Sequence, residues 1–93
     1  MTQPPVVLTI AGSDSGGGSG LQADLRTFAA QSIHGVCALT VVSAQNTEDF
    51  RSALAVPATM LRSQIEAILD DFEVKVAKTG LLYSEENIRL ISE

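Results

Sequence analysis

The sequence has few cysteines, few basic residues and no long apolar run, and each shortage argues against a class of protein. A single cysteine, Cys37, cannot form an intramolecular disulfide, which is typical of a reducing compartment. Six basic residues against eleven acidic ones give a net charge of −5, which argues against nucleic acid as a partner. No apolar run reaches the ~18 residues of a membrane span, and Met1–Pro5 contains no basic leader segment. We therefore expect a cytoplasmic protein without a membrane or nucleic-acid partner.

The most informative segment present is the glycine-rich stretch Ala11–Leu25, AGSDSGGGSGLQADL. Before it, Val6–Ile10 is aliphatic and β-branched, which predicts a strand buried on both faces. After it, apolar residues recur at the spacing of one helix face, and Ser19 followed by Gln22 predicts a capping box. The segment is thus predicted to lead from a strand into a helix whose first N–H groups can approach a ligand.

The glycines alone do not identify that ligand. No Lys-Ser or Lys-Thr pair follows them, as a P-loop requires, and the G-x-G-x-x-G spacing of a dinucleotide site is absent. A polar or anionic ligand and a flexible turn of small residues both agree with the pattern. Asp24 favours a ligand, because it lies beside the apolar stripe and a buried carboxylate needs a partner. An interaction with the helix dipole is the alternative role for this carboxylate.

Further along, the pattern predicts alternating strands and helices. In chain order it predicts a helix C-cap at Gly35, a buried strand over Val36–Val42, a short and partly exposed strand over Phe50–Val56, a helix opened by Pro57, a core strand over Val74–Ala77 and a helix capped by Ser84. Three parallel strands leave a sheet edge unpaired, and 93 residues are few for a doubly wound domain of about 100–200 residues. We therefore expect the N-terminal portion of one larger domain.

Three motifs, in order, carry a family resemblance: AGSDSGGGSGLQADLRTF, ALTVVSAQNT at Ala38–Thr47 and VKVAKTGLL at Val74–Leu82. Together they resemble the start of the hydroxymethylpyrimidine kinase and phosphomethylpyrimidine kinase family of thiamine biosynthesis, which has the ribokinase-like fold. The resemblance implies a three-layer α/β/α domain with a mostly parallel sheet, of which residues 1–93 form the substrate-side part. Pyridoxal kinases share this fold and are the relatives most easily confused with the family.

The resemblance also implies four substrate-binding residues. The backbone of Gly12 would contact a pyrimidine, and Asp24 and Gln45 would form hydrogen bonds with the edge of its amino-bearing ring, for which a carboxylate and an amide are suited. Leu81 would form an apolar wall where many relatives have Met, a swap that conserves volume. The predicted strands end near Gly12, Gln45 and Gly80, and ligands of open α/β sheets bind beyond such strand ends.

The activity that the resemblance implies is transfer of the γ-phosphoryl group of ATP, with Mg²⁺, to 4-amino-5-hydroxymethyl-2-methylpyrimidine and then to its monophosphate. The family holds its catalytic base and nucleotide loops in its C-terminal half, so we assign no catalytic residue in this chain. Cys37 and His34 are interpreted as structural residues, and no cluster of side chains predicts a metal site.

Two other functions stay open at this point. One is a pyridoxal or pyridoxine kinase, and the other is a non-catalytic module that binds a pyrimidine. Relatives often dimerise, and an unpaired sheet edge promotes association, so a homodimer is also expected.

Overall fold

A computed structural model describes residues 4–92. The expectation that Met1–Pro5 contains no leader therefore falls partly outside the described residues. Eight elements follow one another in these residues: β1 (Val6–Ala11), α1 (Gly20–Ala30), β2 (His34–Leu39), β3 (Val41–Gln45), β4 (Phe50–Ala55), α2 (Ala58–Asp71), β5 (Val74–Thr79) and α3 (Glu85–Ser92). Within residues 4–92, no helix has the length and apolar character needed to cross a membrane.

The main sheet is parallel and has the strand order β2-β1-β5. The central strand, β1, carries the aliphatic run of the sequence, and its Leu8 and Ile10 are buried. Leu8 is in register with Val36 of β2 on one side and with Ala77 of β5 on the other. The predicted parallel core is confirmed, and the outer edge of β5 is unpaired within the described residues.

The single strand predicted over Val36–Val42 is wrong, because the chain leaves the sheet at Thr40. Thr40 is fully buried, and its N–H donates to the carbonyl of Ala11 at 2.9 Å. Its own carbonyl accepts from Val56 at 2.8 Å, and its hydroxyl donates to the carbonyl of Leu81 at 2.6 Å. These three bonds tie three segments together, so that the chain turns from β2 of the parallel sheet into β3.

β3 pairs with β4 as an antiparallel hairpin, in which Ser43 is opposite Ala53. The turn is closed by Asn46, whose side-chain oxygen accepts from the N–H groups of Glu48 and Asp49 at 2.8 and 2.9 Å. The predicted partly exposed strand is confirmed as β4, although it ends at Ala55. The hairpin stands beside the parallel sheet and forms one wall of a crevice above it.

The helices cover both faces of the sheet. Side chains alternate between the two faces along β1, and Leu8 and Ile10 pack with Leu61 of α2 and with Ile91 of α3. On the opposite face, α1 packs so closely on β2 that a side-chain carbon at Gly35 would lie 2.8 Å from both Leu25 and Phe28. The three predicted layers are confirmed.

This close packing also explains why the predicted C-cap at Gly35 is wrong. Gly35 lies inside β2, where it makes room for the side chains of α1. The helix ends earlier, at Ala30, and the chain reverses through Ser32, which has a φ of 60°. In contrast, the predicted cap at Ser84 is confirmed, because its hydroxyl accepts from the N–H of Asn87 at 3.1 Å.

Candidate functional site

A cavity of about 270 Å³ opens where β1 and β5 end, between the glycine-rich loop and the hairpin. This volume lies just below the range of about 300–1,000 Å³ that holds drug-sized ligands, so the cavity suits a single substituted ring. Its lining comes from all the surrounding segments: Ala11, Gly12, Ser13, Asp14, Ser19, Gly20, Asp24, Val41, Ser43, Phe50, Ala53, Lys78, Gly80, Leu81 and Tyr83.

The glycine-rich loop is organised by Asp14, a buried carboxylate that the sequence analysis did not single out. One carboxylate oxygen accepts from the N–H of Gly16 at 2.8 Å, and the other accepts from both the N–H and the hydroxyl of Ser19 at 2.9 Å. The hydroxyl of Ser19 and the backbone N–H groups of Gly16, Ser19 and Gly18 lower the pKa of Asp14 despite its burial. Asp14 therefore supplies the negative charge at the start of α1, where a bound anion would otherwise be favoured.

The predicted capping box of Ser19 and Gln22 is wrong, because both side chains bond to the loop. The hydroxyl of Ser19 donates to Asp14, and no side-chain cap bond forms at the start of α1. The amide oxygen of Gln22 accepts from the N–H of Asp14 at 2.9 Å, and its amide nitrogen donates to the hydroxyl of Ser13 at 2.8 Å. The side chains of Ser19 and Gln22 thus stabilise, by hydrogen bonds, the loop that forms one wall of the cavity.

Asp24 has two partners in the chain, and both come from the sheet below α1. Thr9 donates its hydroxyl to Oδ2 at 2.7 Å, and Lys78 donates its ammonium to Oδ1 at 2.7 Å. Burial raises the pKa of Asp24, but the hydrogen bonds from Lys78 and Thr9 outweigh that effect, so the pKa lies below its ordinary value. Thr9 and Lys78 are thus the partners that this carboxylate was predicted to need. The carboxylate of Asp24 also lines the cavity.

Gly12 brings the backbone of the first strand end into the cavity. A side-chain carbon at Gly12 would lie 2.6 Å from a methyl group of Val41, so only glycine permits this approach of β1 to the hairpin. The carbonyl of Gly12 accepts from the N–H of Leu21 at 2.9 Å, which fixes the start of α1 relative to the strand.

The apolar side of the cavity contains large side chains that are exposed to solvent. Leu81 is 61% exposed and Phe50 is 60% exposed, and both line the cavity. Tyr83, which is also exposed, has a φ of 75°, a conformation that is uncommon for a bulky residue. An aromatic ring that entered the cavity would cover this apolar surface.

Gln45 lies next to the cavity but is not one of its lining residues. Its backbone N–H donates to the hydroxyl of Ser15 at 2.8 Å, and its side-chain amide donates to the hydroxyl of Ser43 at 2.8 Å. Ser43 itself lines the cavity and donates to the carbonyl of Ser13. Since Gln45 ends a strand of the hairpin, the expected convergence of three parallel strand ends is wrong for this residue.

The structure thus brings three of the four predicted binding residues together, Gly12, Asp24 and Leu81, and it adds Asp14 and Lys78. Asp14 has a signal in the sequence, because an aspartate two residues before a glycine is typical of an Asx turn. Lys78 has no local signal, since its partner Asp24 is 54 positions away.

The residues interpreted as structural lie away from this cavity. Cys37 is a free, half-buried thiol in β2 whose pKa is raised by burial, and His34 packs against the ring of Phe72 with centroids 5.4 Å apart. Within residues 4–92, no group of three His, Cys, Asp or Glu side chains could hold a metal ion.

Solved vitamin kinases have the same architecture. The chain superposes with a TM-score of 0.90 on phosphomethylpyrimidine kinase from Clostridium difficile 630, at 40% identity over 94% of this chain and 38% of that one. On the ADP complex of Bacillus subtilis pyridoxal kinase the TM-score is 0.87, at 37% identity over 96% of this chain and 35% of that one. The fold is therefore that of the ribokinase-like vitamin kinases.

Sequence comparison defines the family within this class. The family model described as phosphomethylpyrimidine kinase matches residues 14–93, and the chain belongs to this family. The hydroxymethylpyrimidine/phosphomethylpyrimidine kinase of Streptomyces coelicolor is 47% identical over 90 residues, which are 97% of this chain and 34% of that protein. The Haemophilus influenzae enzyme of the same name is 42% identical over 93 residues, 100% of this chain and 35% of its own length. The chain spans about a third of the length of these curated relatives.

Proposed function

We propose that residues 1–93 are the N-terminal, substrate-side portion of a kinase that uses ATP and Mg²⁺. Its substrates are 4-amino-5-hydroxymethyl-2-methylpyrimidine and the monophosphate of that pyrimidine. The observation that carries the proposal is the charged carboxylate of Asp24 in a cavity of about 270 Å³ that has apolar walls. Family membership supports the same activity. A cytoplasmic location goes with this proposal, since the single thiol is free.

The chemistry of the cavity matches an aminopyrimidine. The exocyclic amine of such a ring is a hydrogen-bond donor, and the carboxylate of Asp24 is an acceptor at the polar side of the cavity. The faces of the ring are apolar, and the aliphatic side chains of Leu81 and Val41 line the same cavity. Gly12 provides backbone groups within the same cavity. For Gln45 to bond to the ring, its amide would first have to release the hydroxyl of Ser43.

In this proposal the chain binds and orients the pyrimidine. Holding two reactants in a productive geometry lowers a reaction barrier by up to about 7–11 kcal/mol. The glycine-rich loop is not the phosphate site, because Asp14 already takes the N–H groups of Gly16 and Ser19 and adds a negative charge. As the family resemblance implies, the proposal assigns the nucleotide loops and the catalytic base to the C-terminal half of the complete kinase. The described residues do not form a ligand set for Mg²⁺, so no step is assigned to the metal here.

A pyridoxal kinase is the second candidate, and the similarity to the Bacillus subtilis pyridoxal kinase favours it. Pyridoxal has a phenolic hydroxyl and an aldehyde on its ring and lacks the exocyclic amine. Asp24 would then accept a hydrogen bond from the hydroxyl instead of from an amine. The two rings differ enough for a direct comparison of substrates to separate the candidates.

The test is ATP-dependent phosphorylation of the pyrimidine and of pyridoxal, at equal concentrations, by the complete gene product. We expect the pyrimidine to be phosphorylated with the higher kcat/KM. A higher kcat/KM for pyridoxal would replace the proposal by the second candidate. Binding of the pyrimidine without any turnover would instead identify a non-catalytic binding module. The expected homodimer stays a prediction that sedimentation of the same preparation checks.

A further inference from the structure

Lys78 is the feature of the cavity that the proposed function leaves without a role. It is in register with Thr9 on the neighbouring parallel strand, so both side chains rise from the same face of the sheet toward α1. Both reach Asp24 at 2.7 Å, one at each carboxylate oxygen. The carboxylate is thereby held from below by two strands of the sheet while it is attached to the helix above.

We propose that Lys78 is a positioning residue, which aims the carboxylate of Asp24 at the amine of the bound ring. This inference rests on the proposed function. A carboxylate oxygen can accept two hydrogen bonds. Lys78 and Thr9 use one acceptor position on each oxygen, which leaves a second position on each for a ligand in the cavity. With both internal positions occupied, the carboxylate is restrained from rotating away from the ligand.

The surroundings of Asp24 make the charge of Lys78 important. Among the described residues that line the cavity, Lys78 is the one cation, whereas Asp14 is a second acid and Tyr83 is a phenol. Arg26, two residues further along α1, donates to the carbonyl of Gly17 in the loop. Without Lys78, the cavity would contain two acids and no cation, a situation that favours protonation of a carboxylate.

The exposure of the pair distinguishes this arrangement from an ordinary surface salt bridge. The side chain of Asp24 is 16% exposed, whereas that of Lys78 is 50% exposed at the cavity. The other ion pair of β5, Lys75 with Glu73 at 2.9 Å, has both side chains more than half exposed and lies outside the cavity. Lys75 therefore serves as a matched control on the same strand.

The experiment measures the affinity of the complete gene product for the unphosphorylated pyrimidine by calorimetry, between pH 4 and pH 8. The variants are Lys78→Met, Lys78→Arg and Lys75→Met. We expect Lys78→Met to bind about tenfold more weakly at pH 7, the effect of disordering one charge-assisted hydrogen bond. We also expect its affinity to fall at a higher pH on acidification than that of the wild type. Lys78→Arg restores most of the affinity, and Lys75→Met matches the wild type.

Melting curves of each variant check that it is folded, and the pH profile separates positioning from a merely structural role. A Lys78→Met variant with the affinity and pH profile of the wild type would overturn the proposal while the proposed function stands. A wild-type protein that binds no pyrimidine would overturn the proposed function, and this inference with it.

Discussion

The carboxylate of Asp14 accepts hydrogen bonds from both the backbone N–H and the hydroxyl of Ser19, each at 2.9 Å. With the additional bond from Gly16, this contact closes the glycine-rich loop on itself ahead of α1. A loop that satisfies its own N–H groups forms a wall of fixed shape. The many glycines of this segment thus let the backbone turn around an internal carboxylate, beside a cavity that a small ring can enter.

Replacing Asp14 by Asn should destabilise the protein at neutral pH and have a smaller effect in acid. The folded-state pKa of Asp14 is lowered, so its contribution to stability is present above its ordinary value of 3.8 and is lost as the pH falls through the lowered value. Urea unfolding of both proteins at pH 7 and near pH 3 measures this difference. Asp70→Asn, an exposed change in α2, serves as the control. An equal difference at both pH values would contradict the role of the charge.

Replacing Gly20 by Ala should destabilise the protein by about 2 kcal/mol or more. Gly20 has a φ of 66°, and a side-chain carbon there would lie 2.5 Å from the carbonyl oxygen of Gly12. The left-handed conformation alone costs about 1–2 kcal/mol for a residue with a side chain. The control is Gly18→Ala, because its nearest atom would be 3.7 Å away. Thermal unfolding compares the two variants, and equal midpoints would contradict the packing described for the loop.

Replacing Gln64 by Leu should cost about 1–3 kcal/mol of stability, the penalty for leaving the half-buried N–H and carbonyl of Leu39 without partners. The side-chain amide of Gln64 accepts from the N–H of Leu39 at 2.8 Å and donates to the carbonyl of Leu39 at 2.9 Å. It thereby completes the hydrogen bonding of β2 where the strand ends. Ser63→Ala, on the exposed side of the same helix, should change stability by less than about 0.5 kcal/mol. A similar loss in both variants, measured in urea, would show that Gln64 has no special role.

The sequence correctly predicted the elements whose structure depends on residues close together in the chain. The aliphatic run of β1, the helix opened by Pro57 and the serine cap of α3 depend on neighbours within a few positions, and all three predictions are confirmed. The break at Thr40 was missed because it depends on hydrogen bonds to Ala11 and Leu81, which lie far away in the sequence. Locally, the residues around Thr40 continue the pattern of a buried strand.

At the candidate site, the sequence predicted which side chains need partners but not which residues supply them. The need of Asp24 for a partner followed from its place beside an apolar stripe, but the partner, Lys78, is provided by the pairing of β1 with β5. The capping box failed for a different reason, since the side chains of Ser19 and Gln22 bond to Asp14 and Ser13, five and nine positions away in the same loop. A contact across 54 positions thus decided the partner of Asp24, whereas bonds within the loop decided the fate of the capping box.

The most direct test of the central claim is calorimetric titration of 4-amino-5-hydroxymethyl-2-methylpyrimidine into the complete gene product and its Asp24→Ala and Asp24→Asn variants. If the carboxylate accepts a hydrogen bond from the ring amine, both variants should lose roughly 1–3 kcal/mol of binding free energy, while an Asp70→Ala control keeps the wild-type affinity. Unchanged affinity in both folded Asp24 variants would contradict the assignment of this cavity as the pyrimidine site.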